Sequence, residues 1–276
     1  MTSKNKGITA FLLIAFGVAW IPLATQWLLG LRGPSDNATF LDYAVFILLT
    51  LPTSFAPAIG SLVVRKWVTH EGFADAGLSL NIRRKWRYYL FALLYPVIVV
   101  PTALILAFLA SAERPDFSAL TVFSLLQMIA IAIVSTPIVW GEEFGWRGYI
   151  QVRLFAEKPL LAAVVTGLIW AVWHYPMILM GFLFSGNHLG LLLYPINMIF
   201  TSIIYGWLRL QSGSVWSASL AHATGNTIIN PLLVSLLPNA EWTLIWAGYR
   251  LAVLAALSAW IVLTRRLKQQ PQVSCV

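Results

Sequence analysis

The sequence predicts an all-α, polytopic integral membrane protein, and three observations carry that prediction. Of its 276 residues 59% are hydrophobic and only 10% are charged, with a mean hydropathy of +0.78. Soluble domains carry roughly 25% charged residues, so a soluble fold is excluded. Apolar stretches of membrane-spanning length recur along the whole chain, without the ten-residue strand alternation of an outer-membrane barrel. The net charge is +8, but the basic residues flank the apolar stretches, as membrane topology requires. No nucleic-acid partner is expected; the partners expected are the lipid bilayer and a membrane-associated protein or peptide.

A window of about 20 residues per crossing divides the chain into eight transmembrane helices, forming a single transmembrane domain over residues 1–276. The spans fall at 8–30, 41–64, 88–110, 118–150, 159–182, 189–208, 214–236 and 242–263. The first, preceded by Lys4 and Lys6, is too long for a signal-peptide core and lacks a small-residue cleavage site after it. It reads as a retained helix. Placing the N-terminus inside puts 15 basic residues on the cytoplasmic side and only Arg32, Arg114 and Arg250 on the other. That bias favours N-in/C-in and an even number of crossings. The one long connection, about 65–87, mixes charges with Trp67, Phe73, Leu78, Leu80 and Trp86. It reads as an amphipathic loop along the cytoplasmic interface, with Arg83, Arg84, Lys85 and Arg87 at the headgroups. Cys275 is the single cysteine, so neither a disulfide framework nor a Cys-based zinc site exists. Only Val276 follows it, which is not a prenylation signal.

The fourth span is overlong and interrupted by charge. Glu142, Glu143 and Arg147 lie between Pro137-Ile138-Val139-Trp140 and Gly148-Tyr149-Ile150. A charged side chain at membrane depth costs at least about 2.5–3.5 kcal/mol, so three together mark a functional site. Gly141, Gly145 and Gly148 thin the helix for close contact, and Pro137 bends it. His174 and His222 stand in later apolar helices. Counted from the cytoplasmic anchors at 1.5 Å per residue, Glu142, His174 and His222 lie about 16, 22 and 14 Å deep. Three helices thus carry polar groups to a similar level, within a core of about 118–236.

Spacing assigns partners. Glu143 and Arg147 are four apart in the order that favours an intrahelical ion pair, while Glu142 projects about 100° away. His222 and Asn226, like Trp170 and His174, share a helical face at i,i+4. A carboxylate in a dry pocket is a general base, so Glu142 with His174 would activate water toward a peptide carbonyl. His222 and Asn226 would donate to the developing oxyanion. Glu143 and Arg147 would support the helix end, and Trp170 would pack. Asn197, Thr224 and Asn230 read as interhelical glue, and His70 and His188 fall in loops without a role.

These residues resemble the CPBP family of intramembrane proteases, which includes the Ras-converting CaaX endopeptidases acting on prenylated proteins. The family pattern Glu-Glu-x-x-x-Arg, aromatic-x-x-x-His, His-x-x-x-Asn reads here as Glu142-Glu143 to Arg147, Trp170 to His174 and His222 to Asn226. Trp170 stands where Phe is usual. The resemblance covers about residues 137–230. It implies an eight-helix CaaX-protease-like core and a glutamate-dependent endopeptidase without cofactor. In that mechanism the first Glu and first His activate water, and the second His and the Asn form the oxyanion hole. The expected location is a bacterial plasma membrane, with the site open to the cytoplasm.

Other readings stay open on the residues alone. Glu142, His174 and His222 would also supply a two-histidine, one-carboxylate zinc site, although no His-Glu-x-x-His is present. A serine protease would need Ser214 or Ser219. A non-proteolytic immunity scaffold or transporter would use the same carboxylates as locks or proton relays.

Overall fold

In a computed structural model the described residues are 2–29, 40–111, 114–118, 120–180, 188–241 and 245–267, and they contain helices and connections but no strand. Arg32, Lys268 and Cys275 lie outside them, as do the side chain of His188 and the connection before it. The main helices are α1 (Ser3–Leu28), α2 (Phe40–Val63), α3 (Ile82–Ser111), α4 (Val122–Gly145), α5 (Pro159–Trp173), α6 (His188–Ser212), α7 (Val215–Thr224) and α8 (Leu251–Leu263). π-helical turns at Val64–Val68, Trp146–Ile150 and Gly225–Ile229 continue α2, α4 and α7, and one at Ile245–Arg250 leads into α8. Among the described residues four helices are long and apolar enough to cross a membrane: Ser3–Leu28, Ile82–Ala110, Val122–Arg153 and Leu191–Ser212. Pro159–Trp173 and Gly248–Leu263 are apolar but shorter. The protein is an all-helical integral membrane protein.

Local chemistry sets the helix ends that matter for the site. Thr121 and Ser124 close α4 with a reciprocal capping box, each side chain accepting from the other's backbone N–H at 3.0 Å. Pro159 opens α5 at a position where no backbone donor is needed. At its far end Pro176 lacks the N–H that would bond back to Val172, so α5 stops at Trp173. His174 caps that end, and a short helix, Tyr175–Leu179, restarts the chain.

Close packing brings α4 to the centre. It lies against α2 on one side and α7 on the other, while α5 packs on α6 and α3 on α7. Glycine makes the α2–α4 approach possible. A Cβ at Gly141 would sit 2.7 Å from the Ser54 carbonyl oxygen, and one at Gly145 would sit 2.6 Å from the Pro57 carbonyl. Both distances are below any real contact, so the small residues expected to thin α4 serve that end.

Two basic residues lie elsewhere than the charge pattern placed them. Arg65, read as part of the interfacial loop, is wholly buried. The loop folds back over the end of α4 and replaces water around the guanidinium with protein oxygens. Nη1 donates to Asp75 Oδ1 at 2.8 Å and to the Gly72 carbonyl, and Nη2 to the Gly148 carbonyl at 3.1 Å. Arg153 adds ion pairs to Glu71 at 2.9 Å and Asp75 at 3.0 Å. Lys66, Trp67, Arg83, Arg84, Trp86 and Arg87 do remain exposed, as an interfacial segment requires. Arg250, read as a flanking charge, is also buried, with Nη1 donating to Asn197 Oδ1 at 2.7 Å. The helical turn Ile245–Arg250 runs directly into α8, so Arg250 lies within a helical segment and not in a connection before it.

Candidate active site

Glu143 is the innermost charge. Its Oε1 accepts from Arg147 Nη1 at 2.9 Å and faces His222 Nδ1 at 3.0 Å, so one oxygen joins α4, the π-helical turn after it and α7. The i,i+4 pair expected from spacing is present, and the structure adds His222 to it. Both Glu143 and Arg147 are 0% exposed, whereas Glu142, His174 and His222 are 8%, 9% and 5% exposed. That difference separates a sealed supporting pair from groups that border accessible space.

Trp170 on α5 connects the two tiers. Its indole Nε1–H donates to Glu142 Oε2 at 2.9 Å, and its ring lies 4.3 Å beneath the Arg147 guanidinium carbon. The stacked guanidinium is a favourable cation–π arrangement that burial strengthens. Its ring centroid is also 5.6 Å from that of His174 and 5.3 Å from that of His222, edge to face in both cases. The role as packing assigned from sequence is thus incomplete, because the indole is also a hydrogen-bond donor to Glu142.

His174 Nδ1 lies 2.9 Å from the Trp170 carbonyl oxygen. A carbonyl only accepts, so Nδ1 carries the ring proton and Nε2 is the basic nitrogen. Glu142, Arg147 and His222 are within electrostatic range of His174. The structure therefore gathers Glu142, Glu143, Arg147, Trp170, His174 and His222. Asn226 differs: it lies in the π-helical turn Gly225–Ile229, is exposed, and no hydrogen bond among the described residues joins it to this cluster.

Sequence reasoning missed an aromatic lining. Tyr194 meets the His174 ring edge to face at 5.6 Å, and Tyr205 lies 5.8 Å from the His222 ring while donating to the Ala221 carbonyl at 3.2 Å. Tyr205 also lies under Arg147 at 5.4 Å. Tyr194, Asn197, Thr201 and Tyr205 are all buried and recur at helical spacing on α6. That polar stripe on an apolar helix was the available signal.

Among the described residues no three His, Cys, Asp or Glu side chains converge as a metal set. Neither serine is poised as a nucleophile. Ser219 Oγ donates to Val215 O within its own helix, and Ser214 Oγ caps α7 while accepting from Tyr89 at 2.9 Å. Thr224 bonds across to Ala92 on α3 at 2.9 Å, the interhelical contact expected of it.

Residues 119–228 match a family model described as type II CAAX prenyl endopeptidase, Rce1-like. A segment of 140 residues is 28% identical to CAAX prenyl protease 2 of Methanococcus maripaludis, covering 49% of this chain. The same alignment takes in 51% of that protein, so the chain spans about half the length of the curated relative it matches. The matched region holds Glu142, Glu143, Arg147, Trp170, His174, His222 and Asn226.

Proposed function

For a chain whose residues 119–228 match the Rce1-like type II CAAX prenyl endopeptidase model, we propose an intramembrane endopeptidase. Its substrate is a membrane-associated, lipidated protein of CaaX type. The observation that carries this reading is that Trp170 bonds to both groups, to Glu142 through its indole N–H and to His174 Nδ1 through its carbonyl, which leaves His174 Nε2 as the basic nitrogen. A water held between the two gives up a proton to this pair as its oxygen bonds to the scissile carbonyl carbon. Cleavage of the C–N bond then takes that proton to the departing amine. His222, held at Nδ1 by Glu143, directs Nε2 away from that carboxylate. When its Nε2 carries a proton, His222 donates from it to the oxyanion together with the Asn226 amide. This role requires Asn226 to turn inward from its exposed position when substrate is bound.

The reading includes eight crossings with both termini in the cytoplasm of a prokaryotic plasma membrane, the site opening toward that side. The bias of basic residues supports it. The test is cleavage of lipidated, CaaX-ending peptides by purified protein in proteoliposomes, followed by mass spectrometry of the new termini. Glu142→Ala should cut turnover about a hundredfold or more, the low end of general-base contributions. A folded Glu142→Ala protein with unchanged turnover sinks the mechanism. Activity should also survive a strong zinc chelator, and loss that zinc restores would return the metal reading.

A further inference from the structure

Trp170 touches both members of the proposed water-activating pair and the cation beside them. Its indole N–H is bonded to Glu142, its ring face to Arg147, and its backbone carbonyl to His174. It is itself 2% exposed, so none of these contacts competes with water. Glu142 also lies in the field of Arg147, the cation that Glu143 already pairs with. A glutamate with free torsions would turn toward that cation and leave the accessible side. The indole prevents this twice, by covering a face of the guanidinium and by holding Oε2.

We infer that Trp170 is a positioning residue that fixes Glu142 through its side chain and His174 through its main chain, leaving Glu142 Oε1 and His174 Nε2 for the same water. This inference rests on Glu142 and His174 being the water-activating pair. The indole supplies both a broad face for the guanidinium and a donor at its edge. Trp170→Phe therefore removes the donor while keeping the face, and separates positioning from packing.

Two measurements test it in the full-length protein. In detergent micelles with 15N-labelled tryptophan, the Trp170 indole resonance is identified by its absence from Trp170→Phe. It should move when Glu142→Gln removes the charge it donates to. The resonance of Trp216, whose indole donates to the Leu78 carbonyl, should stay. In turnover assays Trp170→Phe should lower kcat about tenfold, as loss of a hydrogen bond to a charged group does, with KM and Tm nearly unchanged. An indole resonance indifferent to Glu142→Gln overturns the inference, as does wild-type kcat in Trp170→Phe or a loss confined to KM or Tm. Full turnover in Glu142→Ala would instead defeat the proposed function, and the indole resonance would still decide whether Trp170 holds this carboxylate.

Discussion

At Glu143 a cation and an imidazole share one carboxylate oxygen, and the carboxylate and the cation are sealed from water. Removing one partner of a buried ion pair leaves the other charge uncompensated, which costs about 3–5 kcal/mol. Arg147→Met should therefore lower stability by about that amount, read as thermal unfolding in detergent. The double variant Glu143→Gln/Arg147→Met should recover most of the stability but not the activity, because His222 no longer faces a carboxylate. Recovery of both would make Glu143 a purely structural residue. The Glu143–Arg147 pair could be read from the i,i+4 spacing alone, since neighbours on one helix need no tertiary information. The bonds from Trp170 to Glu142 and from Glu143 to His222 could not, because they join residues 28 and 79 positions apart.

On the scale of elements, the site depends on how closely α2 and the 64–77 loop approach the end of α4. Gly145→Val would drive its side chain into the Pro57 backbone, and overpacking of this kind costs about 1–3 kcal/mol or more. Reduced yield of folded protein with Gly145→Val, against a mild effect at Gly17 where an added Cβ meets nothing, would check the assignment. The loop carries its own pH dependence. Burial by itself raises the Asp75 carboxyl, but the hydrogen bond from Arg65 and the charges of Arg153 and Arg65 outweigh it and hold the group below its ordinary 3.8. A depressed carboxyl stabilises the fold above its unfolded value, and that share is lost as pH falls through the folded value. Thermal unfolding between about pH 5 and pH 2 should fall less steeply in Asp75→Asn than in the wild type. Identical slopes would remove Asp75 from the acid response. Hydropathy alone did not reveal this clamp, because Arg65 next to Lys66 reads as a pair of surface charges until the loop is folded over one of them. The stripe of Tyr194, Asn197, Thr201 and Tyr205 was legible, but only by asking which polar residues share a helical face.

For the molecule as a whole, both termini are expected in the cytoplasm, and the chain carries its own reporter. Cys275 is the single cysteine, so a membrane-impermeant maleimide applied to intact cells should leave the protein unlabelled until the membrane is opened. A protein with Thr2→Cys and Cys275→Ser should behave the same way. Labelling of one from outside but not the other would refute the even number of crossings, and labelling of both would refute the cytoplasmic placement of the termini.

Composition alone determined the solvent: with 10% of residues charged and 59% hydrophobic, only a lipid environment leaves the chain without a prohibitive apolar surface. Spacing determined which polar groups share a helix, because backbone hydrogen bonding fixes the helical period whatever the helix packs against. Tertiary structure decided which oxygen each proton faces and which charges are sealed. It turned Arg65 and Arg250 inward, gave Glu142 to an indole and Glu143 to a histidine, and left Asn226 exposed. Those outcomes depend on the approach of helices distant in sequence, and a linear pattern of residues does not encode the angles at which helices meet.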